Sequence, residues 1–366
     1  MPALTVPVEP GPRRLDALVE PAGADAVAAV RDAAQPLRRL RVVHVTTPPF
    51  APRAIDLLRS SVPLLNDAGL DVRWLAVAGD YRADVAARAV GDALRGGEPG
   101  PDDDVRAWRE RGALAAAEIP RGTDVVVVHG LEALALLGGE WPAPAPRVVW
   151  WPEGEVVAPI ADLSERADEI VEGIAPAIDP LSPRNLVLEP RSTGALARTA
   201  GVDLSRPLVV HVADVDGWST AEDALDVLHA AQDAGAEGLQ LAIAALLPAG
   251  DPRAWRTLGE LSDHVGGEEG VLVVANVGGA ADGELNALQR LARVAIAQDG
   301  STAALEAGWK GTPVTTDGAR VAALVADPGE AVAAGRAVRD AVRESGLITR
   351  LLCDQLALYA RITSAA

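Results

Sequence analysis

One cysteine, one lysine and three aromatic residues besides eight tryptophans are all that this 366-residue chain contains of those types. The lone Cys353 can form no internal disulfide and no cysteine-rich metal site. The five histidines show no metal-ligand spacing, so neither a metal nor another cofactor is expected. No apolar run reaches the roughly 18–20 residues of a membrane span. The stretch Met1 to Arg14 lacks the apolar segment of a secretory signal, which makes the cytoplasm the expected location. Positive charge is also scarce. Lys and Arg number 33 against 52 Asp and Glu, a formal net charge of −19. Such a surface repels nucleic acid and anionic membrane, although it leaves room for a local basic pocket.

Apolar residues at 49% and charged residues at 23% are ordinary for a globular protein and exclude disorder and collagen. Ala, Arg, Gly, Val and Asp dominate, so any Lys, Trp, His or Asn that remains carries more information. The pattern predicts a mobile tail over 1–12 and helical spacing over 13–38. A first buried strand is expected at 40–45 (LRVVHV), then a helix over 53–68 capped by Gly69 and the strand DVRWLAVAG. A helix is expected over 82–95 and a solvated loop over 96–104, including Asp102 to Asp104. A helix over 105–118, the strands TDVVVVHG and RVVWW, a helix over 160–172 and a proline-punctuated segment over 173–185 follow. The second half restarts with strands at 207–214, 239–246, 270–277, 293–298, 313–316 and 322–327. Helices are expected between them at about 220–235, 252–265, 281–291 and 302–309, then throughout 329–362. Continuous apolar strands alternating with helices mean βαβ units and parallel sheets, here an α/β chain of two Rossmann-like domains.

Several stretches carry a resemblance. RVVHVTTPPFAPRAIDLLRSSVPLLNDAGLDVRWLAVAG (41–79), GIAPAIDPLSPRN (173–185), PLVVHVADVDGWSTAEDALDVL, ALEAGWKGTPVTTDG (304–318) and GLITRLLCDQLALYARI (346–362) are similar to retaining trehalose glycosyltransferring synthases. That resemblance implies a GT-B arrangement, two Rossmann-like domains facing across a cleft, with the C-terminal helix crossing back to the first. It assigns 13–175 to the acceptor side, 176–205 to a linker, 206–344 to the donor side and 345–366 to the returning helix. A nucleoside-diphosphate sugar would be the substrate.

The chain departs from the family pattern where the charge should be. The glycine-rich loop reads Ala51, Pro52 and Arg53, closed by a retained Asp56. The two cations that neutralise the donor diphosphate are replaced by Asp214 and Ser219, while Asp216 and Trp218 between them are kept. A charge-assisted hydrogen bond contributes about 1.5–3 kcal/mol. Losing two therefore costs about two to four orders of magnitude in affinity. Of two glutamates eight residues apart, the first is Gln298 and the second survives as Glu306; the family's first-domain histidine falls near Glu153.

The candidate donor residues are thus Gly300, Ser301, Thr302, Glu306 and Lys310, and the cleft candidates are Arg53, His129, Trp151 and Gln298. Each has an ordinary alternative. Gly300 to Thr302 form either a remnant phosphate cradle or a helix cap. Glu306 either holds a ribose or lies on a helix surface. His129 lines the cleft or ends a strand, and His44 and His211 read as core histidines. Trp150 and Trp151 face opposite ways, so one either stacks on a sugar or fills the core. Three functions stay open: a catalytically degenerate trehalose-synthase-like protein binding a sugar, a nucleotide or a protein partner; an active retaining transferase with a rewired donor site; and a scaffold or homo-oligomer subunit. An active site requires cations near Gly300–Thr302, from Arg53, Lys310 or Arg320.

Overall fold

Runs of valine and leucine without polar alternation become strands covered on both faces. A computed structural model describes residues 3–47, 52–78, 81–94, 101–152, 161–171, 175–214, 218–247 and 252–364. The chain forms two units, 1–174 with 351–366, and 175–350.

The first unit contains β1 (Thr5–Val8), α1 (Val19–Ala22), α2 (Ala24–Ala34), β2 (Arg41–Thr46), α3 (Pro52–Asp67), β3 (Asp71–Val77), α4 (Tyr81–Leu94), α5 (Asp102–Ala116), β4 (Val125–His129), β5 (Arg147–Trp151), α6 (Ala161–Ser164) and β6 (Glu169–Ile170). Its sheet has the order β1-β3-β2-β4-β5-β6. Only β1 runs antiparallel. All five residues of β4 are buried. One face of the sheet packs on Trp108 of α5 and on Leu131 to Leu137.

The second unit contains α7 (Pro190–Thr199), β7 (Leu208–Asp214), α8 (Trp218–Asp233), β8 (Gln240–Leu247), α9 (Pro252–Val265), β9 (Val271–Val277), α10 (Asp282–Leu291), β10 (Val294–Ile296), α11 (Thr302–Trp309), β11 (Val314–Thr315), α12 (Gly318–Ala326) and α13 (Pro328–Ser345). Its sheet, β11-β10-β7-β8-β9, is parallel throughout. Apolar clusters lie on both faces. The last helix, α14 (Ile348–Ser364), supplies its residues from Leu351 onward to the first unit, where Tyr359 is buried.

Several expectations are corrected. The opening residues are not all tail: Thr5–Val8 pair with Val77–Trp74, and the amides of Leu4 and Thr5 donate to Glu118. Helical spacing over 13–38 is broken at Gly23, whose φ of 92° no side-chain-bearing residue adopts readily. Asp102–Asp104 are the first turn of α5, where acidic side chains suit the helix dipole. Where a helix over 160–172 was expected, the described residues 161–171 hold a single helical turn and then β6. Residues 322–327 belong to helix α12, capped by Asp317, rather than to a strand. The expected linker is part of the second unit and contains α7. The terminal helix is interrupted at Gly346, and Leu347 forms a parallel bridge with Ile178.

Close helix packing rests on glycine. A Cβ on Gly335 of α13 would drive into the carbonyl oxygen of Gly311, whereas one on Gly259 of α9 meets nothing within 4 Å. Gly335→Ala should destabilise the second unit by about 1–3 kcal/mol. Gly259→Ala should be neutral or stabilising by up to about 1 kcal/mol. Denaturant unfolding of the two variants checks both, and equal effects would refute this account of the packing.

Candidate functional site

The turn before α11 is set by Gly300, with φ of 77°, and by Ser301, whose Oγ accepts from the Ala304 amide at 3.1 Å. Ser301 thus performs helix capping. Gln298 and Gly300 are exposed, and Ser301 and Thr302 are half-buried. Glu306, one turn further on, is only 4% exposed. It is neither a surface glutamate nor open to solvent. Arg184 donates from Nη1 to Glu306 Oε1 at 3.2 Å and from Nε to Asp282 Oδ1 at 3.2 Å. Asn276 Nδ2 donates to the same Asp282 oxygen at 2.7 Å, and the Ala281 amide donates to Asn276 Oδ1.

Lys310 completes this cluster. Its Nζ donates to Asn185 Oδ1 at 2.7 Å and to the Glu306 carbonyl at 3.1 Å. Burial lowers its pKa to about 7; Glu306 and Asp282 pull it up, while Arg290 and Arg184 push it further down. Arg290 donates to the Asn185 and Leu186 carbonyls, and Asn286 donates to those of Pro183 and Leu186. The Pro183–Leu186 stretch is thereby fastened to α10 and α11. Arg339 lies over the Trp309 ring at 5.3 Å.

This arrangement fixes where positive charge stands. The free amides of α11 lie at its first turn, about 12 Å along the helix from Lys310 at 1.5 Å per residue. Lys310 is bound at the far end, and Arg320 pairs with Glu330 on α13. The side chains of Arg53, Asp214 and Ser219 lie outside the described residues, as does Glu153.

The first unit gathers a second cluster at the ends of β2, β4 and β5. His129 is 3% exposed, a buried residue at the end of β4. Its ring stacks between His44 at 5.1 Å and Trp151 at 5.4 Å. His44 Nδ1 lies 2.8 Å from His129 Nε2, and the Tyr359 hydroxyl lies 3.2 Å from His44 Nε2. One ring must donate and the other accept, which two imidazolium ions cannot do. Burial pushes His44 well below its usual range and His129 down to about 3, and it raises Tyr359. Trp151 is half-buried, while Trp150 is buried and donates to the Gly130 carbonyl. His211 is buried, with Nδ1 2.8 Å from the Ile296 carbonyl oxygen. The sequence reading missed Arg184, Asp282 and Tyr359; Arg184 lay unremarked within the quoted GIAPAIDPLSPRN segment.

A trehalose synthase from Rubrobacter xylanophilus is 27% identical over 381 residues, spanning 89% of this chain and 91% of that protein. The chain is similar to the trehalose synthases. Another trehalose synthase, from Pyrococcus furiosus, is 24% identical over 82% of this chain and 80% of its own. No protein-family profile matches. Among solved structures, a UDP-forming alpha,alpha-trehalose-phosphate synthase from Burkholderia xenovorans, in complex with glucose-6-phosphate, aligns with a TM-score of 0.56 and 13% identity, over 88% of this chain and 100% of its own. Sucrose-phosphate synthase from Thermosynechococcus elongatus aligns at 0.55 and 13%, over 89% and 99%. The fold is that of the GT-B glycosyltransferases.

Two outcomes follow from these clusters. Arg184→Met leaves Asp282 and Glu306 buried without their shared cation, and should destabilise the second unit by about 3–5 kcal/mol in denaturant titrations. A loss under ~1 kcal/mol would contradict the pairing. The histidines are neutral in the folded chain and ordinary, near 6.5, when unfolded. The unfolded state therefore binds more protons between pH 6.5 and about 3, and stability falls as pH drops through that window. His129→Gln should flatten this loss relative to wild type; an unchanged slope would show that the pair does not titrate on unfolding.

Proposed function

We propose that this chain is a glycosyltransferase-like protein of the trehalose synthase type that binds a sugar or a nucleotide without efficient transfer. One observation carries the reading: Lys310 and Arg320, two of the three cations available to a donor diphosphate, are committed to Asn185 and Glu330. Transfer from a nucleoside-diphosphate sugar depends on stabilising the departing diphosphate, chiefly by preorganised positive charge and amides. A first turn of amides capped by Ser301 supplies only the weaker half of that requirement. Asp214 and Ser219 stand where the family carries its cations, and Glu306, the residue expected to hold a ribose, is held by Arg184. The ligand class follows from the relatives. Four curated ones are named trehalose synthase, and a structural neighbour with a TM-score of 0.55 was solved with UDP-2-fluoro glucose.

Calorimetric titration with UDP, ADP and GDP, with and without glucose or trehalose, tests the proposal. Expected is binding of a sugar, or of a nucleotide no tighter than millimolar, and no trehalose from a nucleoside-diphosphate glucose and glucose. Saturable binding together with turnover would overturn it. Loss of that turnover in Arg53→Met would then assign the missing charge to Arg53.

A further inference from the structure

The parallel sheet of the second unit ends on an unguarded strand. β9 lies at its margin, in the order β11-β10-β7-β8-β9. Its pairing with β8 runs without interruption from Val271 to Val277. Two bonds fix which residues face which side. The Leu241 amide donates to the Gly270 carbonyl and the Gly278 amide to the Leu247 carbonyl, each at 2.9 Å. Backbone groups alternate between the two sides of a strand. Even-numbered residues of β9 therefore bond to β8, and Val271, Val273, Ala275 and Val277 turn their N–H and C=O groups outward. At the ends, the Val271 amide makes a long 3.4 Å bond to the Glu268 carbonyl, and the Val277 carbonyl accepts from the Ala280 amide at 3.0 Å. Among the described residues, no hydrogen bond reaches the outward groups of Val273 and Ala275, and both residues are half-buried.

Sheet edges are normally blunted by short strands, charge or proline. The other edges of this chain follow that rule. β6 and β11 have two residues each, and β1 has four, including Pro7. β9 has seven, reading VLVVANV, with no charge, proline or glycine. A chain of net charge −19 thus carries one long, neutral, apolar edge with backbone groups to spare.

We infer that β9 is the contact through which two copies of this chain associate, paired antiparallel about a two-fold axis at Val274. That axis sets outward residue against outward residue: Val271 opposite Val277 of the second copy, and Val273 opposite Ala275. Each such pair exchanges N–H···O bonds in both directions. Five strands join five in one continuous sheet. Valine meets valine or alanine at the outward positions, so a second copy needs no feature that the strand does not already hold. The contact is closed, because it consumes the edge in both copies and does not propagate into a fibre. A strand of seven residues spans about 23 Å. Glu268 and Glu269, which precede β9, therefore lie at opposite ends of the contact in the two copies, well beyond the ~8 Å screening length at physiological salt. Each meets the end where the other copy turns away at Gly278 and Gly279. The inference is independent of the ligand reading above.

Sedimentation equilibrium of the intact chain should show a monomer at about 1 µM and a dimer at about 100 µM, as a small interface of this kind gives. Ala275→Pro removes an outward N–H and none of the bonds to β8, a change that an edge strand tolerates, and should weaken the dimer about tenfold or more. Hydrogen exchange on the unaltered chain needs no variant. The Val273 and Ala275 amides should exchange about tenfold or more slowly at the higher concentration, while those of Leu272 and Val274, bonded to β8, stay the same. If Ala275→Pro fails to fold, the exchange result decides alone. A monomer at both concentrations, a dimer that folded Ala275→Pro leaves intact, or edge amides indifferent to dilution would overturn the proposal. A monomer whose edge amides are protected only by an added extended peptide would give the edge to a foreign strand and overturn it too.

Discussion

A single guanidinium organises the second unit. Arg184 reaches Asp282 at the start of α10 and Glu306 within α11, residues 98 and 122 positions away. Its planar fork suits two carboxylates at once, which a lysine ammonium cannot match. Removing three charged groups from water is expensive, so the cluster contributes more to fixing geometry than to net stability. It holds Glu306 against Asp282, while Arg290 and Asn286 fasten the Pro183–Leu186 stretch to α10 and Asn185 holds the Lys310 ammonium.

The two units treat buried titratable groups in opposite ways. In the second, charge is retained and matched: Arg184, Asp282 and Glu306 share hydrogen bonds, and Lys310 stays cationic only near or below neutrality. In the first, charge is abolished. His44, His129 and Tyr359 form a neutral chain of contacts in a setting that desolvates each of them. A neutral chain of this kind holds α14 to β2 through polar contacts without the desolvation penalty of an ion pair.

Much of the fold was legible because its signals are local. Unbroken apolar runs marked β2, β4, β7 and β8, and Gly69, with φ of 107°, closed α3 as its position suggested. The misses were equally physical. Residues 322–327 form a short apolar run, and periodicity alone does not separate a buried strand from a buried helical turn; the cap at Asp317 was the discriminating signal. Thr5–Val8 was hidden by Pro7, which an edge strand tolerates. At the site, Ser301 was legible as a cap. The partners of Glu306 were not, since no local pattern encodes a contact made 122 residues away. His129 was placed at the correct strand end, but its burial depends on Trp151 and on His44 two strands' worth of sequence earlier.

The first unit is discontinuous: the chain leaves it by residue 174 and returns only at 351. Tyr359, buried beside His44, arrives with α14, after the whole of the second unit. During vectorial synthesis the second unit has all its own residues available before the first does. The earlier-made half must therefore wait, with part of its core uncovered, until α14 has been made.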